Sequence, residues 1–388
     1  MKDTEQKKEL ICPLYKKCGG CQLLNLTYQQ QLQLKMVKCI KLLGKYCHVS
    51  EIIGMENPYH YRNKVQAAFR TDNHGKIISG VYQSSSHRVV SVESCITEDE
   101  KADEIIGTVR NLLKSFKLKP YDEDKNQGFL RHVLIKRGFK SGQIMVVLVT
   151  GAKEFPKKRS FVNALLKAHP EITTVIQNAN NKRTSLVLGK DEEVLFGNGK
   201  IEEQLGEFTF RISPKAFYQI NPVQTEVLYN KVLEFADLRG TETVVDAYCG
   251  TGTIGIFASP KAKQIIGVEL NSDAVRDARE NAKLNNINNI KFFNADATEF
   301  MLSAAENGEK ADVVIMDPPR AGSTTAFIKS VAKLQPKKIV YVSCNPETLA
   351  RDLFYFVKND YKVKKIQPVD MFPHTEHCEC AVLLTKNK

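Results

Sequence analysis

The spacing of apolar and polar positions changes character twice along these 388 residues. Between residues 25 and 46 (NLTYQQQLQLKMVKCIKLLGKY), Leu32, Met36, Val37, Ile40 and Leu43 recur at helical spacing and predict a helix with one apolar face. From about Tyr61 to Arg211, short apolar or alternating runs stand between turn signals: KVQAAFR, KIISGVYQ, RVVSVES, QIMVVLVT, TTVIQNA and EFTFRIS. They predict a mostly antiparallel β region, with helices at EIIGTVRNLLKSF and FVNALLKAH. After about residue 223, strands (TVVDAY, QIIGVEL, KFFNAD, DVVIMD, KKIVYVS) alternate with helices. One of these, SDAVRDARENAKLNN, has Ser272 as its expected N-cap. Such alternation predicts a parallel, doubly wound sheet.

Composition narrows the class. Two or three domains and a sizeable core are expected at this length. Hydrophobic residues make up 42% and charged residues 26%, as in ordinary globular proteins. No apolar run reaches the length of a membrane span, and the polar start MKDTEQKKEL has no secretory pattern, so a cytoplasmic monomer without a membrane partner is expected. Ten cysteines in that compartment call for metal, catalytic or packing roles in place of disulfides. Lys and Arg number 56 against 44 Asp and Glu, a formal charge of +12. That excess favours an anionic partner such as nucleic acid, against the plainer alternative of a basic surface that only keeps the chain soluble.

The first strand of the alternating region runs into Asp246-Ala-Tyr248-Cys249-Gly250-Thr251-Gly252-Thr253-Ile-Gly255. Its G-x-G-x-x-G lets the backbone approach a ligand, and Glu269, nineteen residues after Gly250, can accept hydrogen bonds from a ribose diol. Both NAD and S-adenosylmethionine carry an adenosine. Asp246 favours the latter, since a carboxylate there could meet its amino-acid part but would repel a pyrophosphate. The fourth strand ends in Asp317-Pro318-Pro319-Arg320, a sequence familiar from methyltransferases acting on flat nucleobases. Enzymes that methylate an exocyclic nitrogen usually carry an aromatic after the two prolines. Arg320 therefore points to a ring carbon.

A fifth strand, Ile339-Val340-Tyr341-Val342, leads into Ser343-Cys344-Asn345-Pro346, where the proline stops the strand and can begin a helix. A thiol at the carboxyl end of a strand is placed like a nucleophile, with a buried packing cysteine as the alternative. C5 of uracil is a poor nucleophile until a thiolate adds to C6; the C5 proton must later leave to a base. Candidates for that base crowd the run Asp370-Met-Phe-Pro-His374-Thr-Glu376-His377-Cys378-Glu379-Cys380, namely Glu379, Glu376, His374 and His377. Its Cys and His lack the paired spacing of known zinc sets.

These stretches resemble the RNA uracil-5-methyltransferase family, which modifies ribosomal RNA and the T-loop of transfer RNA. The resemblance is strong over about residues 213–388, and the N-terminal cysteines extend it to nearly the whole chain. It implies a class I Rossmann-like methyltransferase domain, an α/β fold with a mostly parallel doubly wound sheet, beside a mainly antiparallel β domain carrying an iron–sulfur cluster. It makes Cys344 the nucleophile and Glu379, not Glu376, the base. It places S-adenosylmethionine against Gln219, Tyr248, Thr253, Glu269, Asp296 and Asp317; Thr253 stands where relatives commonly have asparagine.

Cys12-x5-Cys18-x2-Cys21 is a compact trio with Gly19 and Gly20 between its last two members. Spacing alone leaves redox, zinc and cluster readings open. Iron–sulfur members of the family have the same trio plus a distant fourth cysteine, here Cys95, which implies a [4Fe–4S] cluster. Cys39 and Cys47 are expected to pack. The resemblance also implies residues 1–23 and 56–212 as the cluster and RNA-binding domain and 24–55 and 213–388 as the catalytic domain, without the N-terminal TRAM domain of longer members. Tyr59-His60-Tyr61-Arg62-Asn63-Lys64, Arg131-His132 and Lys136-Arg137 are basic and aromatic mixtures suited to RNA, or else solvated strand faces. The expected substrate is RNA, 23S ribosomal RNA first and transfer RNA second. Rivals are an NAD-dependent oxidoreductase and a non-catalytic RNA-binding or iron–sulfur redox protein.

Overall fold

The computed structural model describes residues 12–83, 86, 88–184 and 186–387. It divides into two compact units. One takes the chain up to Asn25 with Asn57–Gln204 and Arg211–Lys215; the other takes Leu26–Glu56, Leu205–Phe210 and Ala216–Lys388. Among the described residues, the first helices are a short α1 (Tyr15–Cys18) in the first unit and a longer α2 (Tyr28–Leu43) in the second.

The first unit is built on β1 (Lys64–Thr71), β2 (Ile77–Tyr82), β3 (Val89–Ser91), β4 (Leu130–Arg137), β5 (Ile144–Thr150), β6 (Ile172–Ala179) and β7 (Asp191–Phe196). They form one sheet in the order β3-β2-β1-β4-β5-β6-β7. Every neighbouring pair is antiparallel except β5 and β6, which run parallel because helix α4 (Lys158–Ala168) carries the chain back between them. Helix α3 (Glu100–Ser115) begins where the Asp99 carboxylate accepts the Ala102 N–H. Its Ile105, Val109 and Leu113 pack with Phe69, Val133, Val146, Leu148, Phe161 and Leu165. A two-stranded piece follows, β8 (Ile201–Leu205) with β9 (Phe208–Ile212).

In the second unit, β10 (Thr243–Ala247), β11 (Gln264–Glu269), β12 (Ile290–Asn294), β13 (Val313–Met316) and β14 (Lys338–Ser343) are parallel, and β15 (Tyr361–Val369) and β16 (Glu379–Lys386) close the sheet in the order β12-β11-β10-β13-β14-β16-β15. β16 runs antiparallel to both neighbours, so the sheet is mostly parallel, as expected, with one antiparallel strand near its edge. The helices are α5 (Pro222–Ala236), α6 (Thr253–Ala258), α7 (Ser272–Leu284), α8 (Ala297–Glu306), α9 (Thr325–Leu334) and α10 (Pro346–Lys358). Buried Val245, Val314, Ile339, Tyr341, Leu353, Phe356 and Leu384 belong to its core.

Two local expectations fail for physical reasons. The N-cap of α7 is Asn271, not Ser272: the Asn271 side chain accepts from the N–H groups of Asp273 and Ala274, and Ser272 is already helical. Asn271→Ala should cost about 1 kcal/mol of stability, read by chemical denaturation. In α2 the inward stripe is Gln31, Leu32, Lys35, Cys39 and Leu43, whereas Val37 and Ile40 are 59% and 50% exposed. Polar partners elsewhere in the unit decide which face turns inward.

Candidate active site

β10 sends the chain to β11 on one side and is flanked by β13 on the other, which makes the gap between β10 and β13 the switch point of the sheet. The glycine loop lies at its carboxyl end. Gly250 and Gly252 have φ of 54° and 78°, and a Cβ at Gly252 would come within 2.7 Å of the Phe292 ring. Gly252→Ala should therefore reshape the loop and weaken binding of S-adenosylhomocysteine, measurable by calorimetry; unaltered affinity would show the loop is not part of the ligand site.

Asp246 is wholly buried, and its Oδ2 accepts the Gly255 N–H at 2.8 Å, while Oδ1 has no partner among the described residues. Thus one oxygen holds the start of α6 and the other is left over. Burial, with Asp317 and Glu269 near, pushes this carboxyl up to about 7. Glu269, at the end of β11, accepts the N–H groups of Gly250 (3.1 Å) and Asn271 (2.7 Å), so the acidic residue also braces the loop. Asp296 caps α8 through Oδ1 on the Thr298 and Glu299 N–H groups. Tyr248 has φ of 62° and packs on Phe327 at 5.1 Å between ring centroids. The Thr253 hydroxyl shares a 2.9 Å hydrogen bond with Tyr229, so this position is engaged within the protein. Gln219 lies in the segment before α5, which the Thr251 hydroxyl meets at the Phe217 carbonyl, 3.4 Å away.

Sheet register brings the thiol and the carboxylate together. Ser343 of β14 stands opposite Cys380 of β16, which sets Cys344 beside Glu379 at the same edge. The turn is held by its own side chains: the Asn345 N–H donates to Ser343 Oγ (3.2 Å), and Asn345 Oδ1 accepts the Glu347 N–H (3.0 Å) ahead of Pro346 at the first turn of α10. Cys344 is half-buried. Burial, then the nearby Glu379 and Asp317, push its thiol up to about 11, and Arg320 pulls it back. Glu379 is 4% exposed, and its Oε2 has no partner among the described residues. Burial and the neighbouring Asp317 raise its pKa well above the usual carboxylate range. Asp317, just past β13, is pushed up to about 7 by burial.

Among the four base candidates the geometry discriminates. Glu376 is exposed. The buried His374 takes Gln31 as partner, Nδ1 to Nε2 at 3.2 Å, and its backbone N–H donates to Gln31 Oε1. Arg320 donates to His377 Nδ1 at 3.1 Å. Burial and Arg320 hold His377 below its ordinary pKa. Only Glu379 presents a buried, unpartnered oxygen beside Cys344.

Sequence reading missed what holds the Asp370–Cys378 loop. Lys35 Nζ sits 2.6 Å from Asp370 Oδ1 with both side chains fully buried, and also donates to the Phe372 carbonyl (3.0 Å). The Tyr28 hydroxyl donates to Asp370 Oδ2 (2.9 Å), and Gln224 donates to the Asp370 carbonyl (3.0 Å). The four-residue spacing of Gln31 and Lys35 places them on one helical face, but no signal in the sequence marks that face as inward.

In the first unit, burial and then the charges of Cys95, Cys18 and Cys12 push the Cys21 thiol up to about 12, so each of these three acts on Cys21. Gly19 takes φ of 73° at the end of α1, and the Cys95 N–H donates to Asp103 at 2.7 Å. The basic pairs of β4 serve the fold. Arg131 is buried against the carbonyls of Asn180 and Lys182 and the Glu123 carboxylate, Lys136 donates to the Ser213 carbonyl, and Arg137 pairs with Asp99 at 2.6 Å. Burial lowers His132 to about 4. Of the two readings of Arg131, His132 and Lys136, neither a phosphate contact nor a solvated face describes their burial.

A dinucleotide would bring its pyrophosphate to the carboxylates of Asp246 and Asp317, whereas a sulfonium amino acid meets no such repulsion. The fold and the crevice are those of an S-adenosylmethionine-dependent methyltransferase. The family model described as tRNA (Uracil-5-)-methyltransferase matches residues 27–387, and the chain belongs to that family of RNA methyltransferases. It is 46% identical over 98% of its length to an uncharacterized RNA methyltransferase of Clostridium tetani, covering 84% of that protein. A similar match, 44% over 99% of the chain and 85% of the relative, is to an uncharacterized RNA methyltransferase of Clostridium acetobutylicum. Among solved structures it resembles the Pyrococcus abyssi tRNA (uracil-54, C5)-methyltransferase in complex with S-adenosyl-L-homocysteine, with a TM-score of 0.81 and 28% identity over 94% of this chain and 86% of that one. No helix among the described residues is long and apolar enough to cross a membrane.

Proposed function

We propose that this enzyme methylates C5 of a uridine in RNA by adding the Cys344 thiolate to C6, and that Glu379 removes the C5 proton. The observation that carries the proposal is the unpartnered, buried Glu379 oxygen beside the Cys344 turn. Addition of sulfur to C6 makes C5 nucleophilic, and S-adenosylmethionine supplies the electrophilic methyl group. After transfer, C5 carries both methyl and hydrogen. A carboxylate held in low dielectric is a strong enough base to take that hydrogen, and sulfur then leaves C6. Asp317, Glu269, Asp296, Tyr248, Gln219 and Thr253 would line the donor site. The base must be presented unstacked, from a loop or by flipping, because the ring faces are covered in a helix.

The thiolate is the species required, and the free enzyme disfavours it. Alkylation of Cys344, followed by mass spectrometry of its peptide, should accelerate with pH toward about 11. A bound sulfonium favours the anion, so S-adenosylmethionine should shift that profile to lower pH, while S-adenosylhomocysteine, which lacks the charge, should not. Equal profiles with both would place the methyl donor away from the thiol.

Cys12, Cys18, Cys21 and Cys95 would hold a [4Fe–4S] cluster. Four soft donors, three of which act on the Cys21 thiol, fit such a group, and the group of three ligating atoms within 4.8 Å of one another among the described residues is a different one. The same four cysteines support 23S ribosomal RNA as the target, through the resemblance of the iron–sulfur members. The Pyrococcus relative supports the second reading, transfer RNA. Incubating the enzyme with unmodified 23S and transfer RNA and mapping 5-methyluridine by mass spectrometry decides between them.

A further inference from the structure

Three other cysteines meet inside the second unit. Cys39 lies on the inward stripe of α2, and Cys378 and Cys380 flank Glu379 at the start of β16. Strand alternation turns Cys378 and Cys380 to one face and Glu379 to the other. All three thiols are 2% exposed or less. The Cys39 sulfur stands 3.8 Å from that of Cys378 and 3.9 Å from that of Cys380, and all three lie within 4.8 Å of one another.

That spacing is informative. Thiolates sharing one ion at a metal–sulfur distance of about 2.3 Å are separated by about 3.8 Å in a tetrahedral and about 4.0 Å in a trigonal arrangement. A disulfide would need its sulfurs at about 2.05 Å. The donor set is wholly soft, and no His, Asp or Glu among the described residues joins the group. Thiolates suit Zn(II) and Cu(I) alike, but closed zinc sites take four donors, and a set of three soft donors matches Cu(I). We propose that Cys39, Cys378 and Cys380 form a trigonal thiolate site for Cu(I). Binding displaces protons from the coordinating thiols and transfers no electrons, since the metal enters and stays as Cu(I). A bound ion would cross-link α2 to the residues on either side of Glu379, independently of the four N-terminal cysteines.

The test uses the full-length enzyme under anaerobic conditions, with iron content monitored throughout. Cu(I) is titrated in competition with a chromogenic chelator, and the product is examined by X-ray absorption. One tightly held copper per chain with three sulfur neighbours is expected, together with a rise in melting temperature on loading. Cys39→Val and the size-preserving Cys380→Ser should each weaken binding by at least about a hundredfold, beyond the loss typical of residues that merely support a ligand. Should Cys39→Val fail to fold, Cys380→Ser carries the comparison. Copper binding unchanged in these variants, binding accompanied by loss of iron, or preferential retention of zinc with a fourth donor would each overturn the proposal.

Discussion

Cys344→Ala should abolish methyl transfer, lowering turnover by roughly a millionfold, the scale at which loss of a covalent nucleophile is felt. The structure makes this specific. The half-buried thiol stands at a strand end whose turn is fixed by the side chains of Ser343 and Asn345, so removing one sulfur leaves the backbone and the crevice in place. S-adenosylhomocysteine should still bind and melting should change little, while no protein–RNA adduct survives denaturation. Glu379→Gln should behave differently. Addition and methyl transfer need no proton acceptor at C5, so the methylated adduct should accumulate and run as a slow band on a denaturing gel. Substantial turnover by Cys344→Ala would sink covalent catalysis. Normal turnover without adduct in Glu379→Gln would move the base elsewhere.

Lys35→Met should destabilise the second unit by about 3–5 kcal/mol, because it strands the fully buried Asp370 carboxylate. The pair is 2.6 Å apart with no exposure on either side, so solvent cannot screen or replace it. Tyr28 still donates to Asp370 in the variant, but one neutral hydrogen bond does not balance a buried charge. The double variant Lys35→Met, Asp370→Leu removes both charges and should recover much of the loss in thermal or denaturant melts. Because the Asp370–Cys378 loop leads into Glu379, the single variant should also lose activity below its melting transition. A loss under about 1 kcal/mol would mean that water reaches the pair.

How much of this the sequence disclosed depends on whether chemistry or packing decided a position. The glycine loop, the Cys344 turn and the strand-helix alternation were legible because each rests on local pattern: turn geometry, a proline stop, a period of two or four. Glu379 was one of four candidates in its run, and only the family resemblance singled it out. The interior use of Lys35 and Gln31 was not, since a helix of mixed composition has two plausible faces and only the distant Asp370 and His374 choose between them. Arg131 and Lys136 likewise looked suited to RNA and instead satisfy buried carbonyls. The antiparallel placement of β16 could not be read either, because nothing local states on which side of β14 the last strand enters.

The position of Glu379 between Cys378 and Cys380 makes the start of the last strand a matter of parity. A strand presents successive side chains to opposite faces, so inserting one residue between Glu379 and Cys380, with the pairing kept from Cys380 onward, would turn Glu379 to the face of the thiols and carry a carboxylate into the apolar interior. Deleting Cys380 would instead bring the Cys378 thiol to the place of the base. A residue added before Cys378 leaves this parity alone, because Glu379 keeps its partner Val369. Drift in length is therefore filtered far more severely inside the strand than in the loop before it, and the enzyme's last strand behaves as a counted segment.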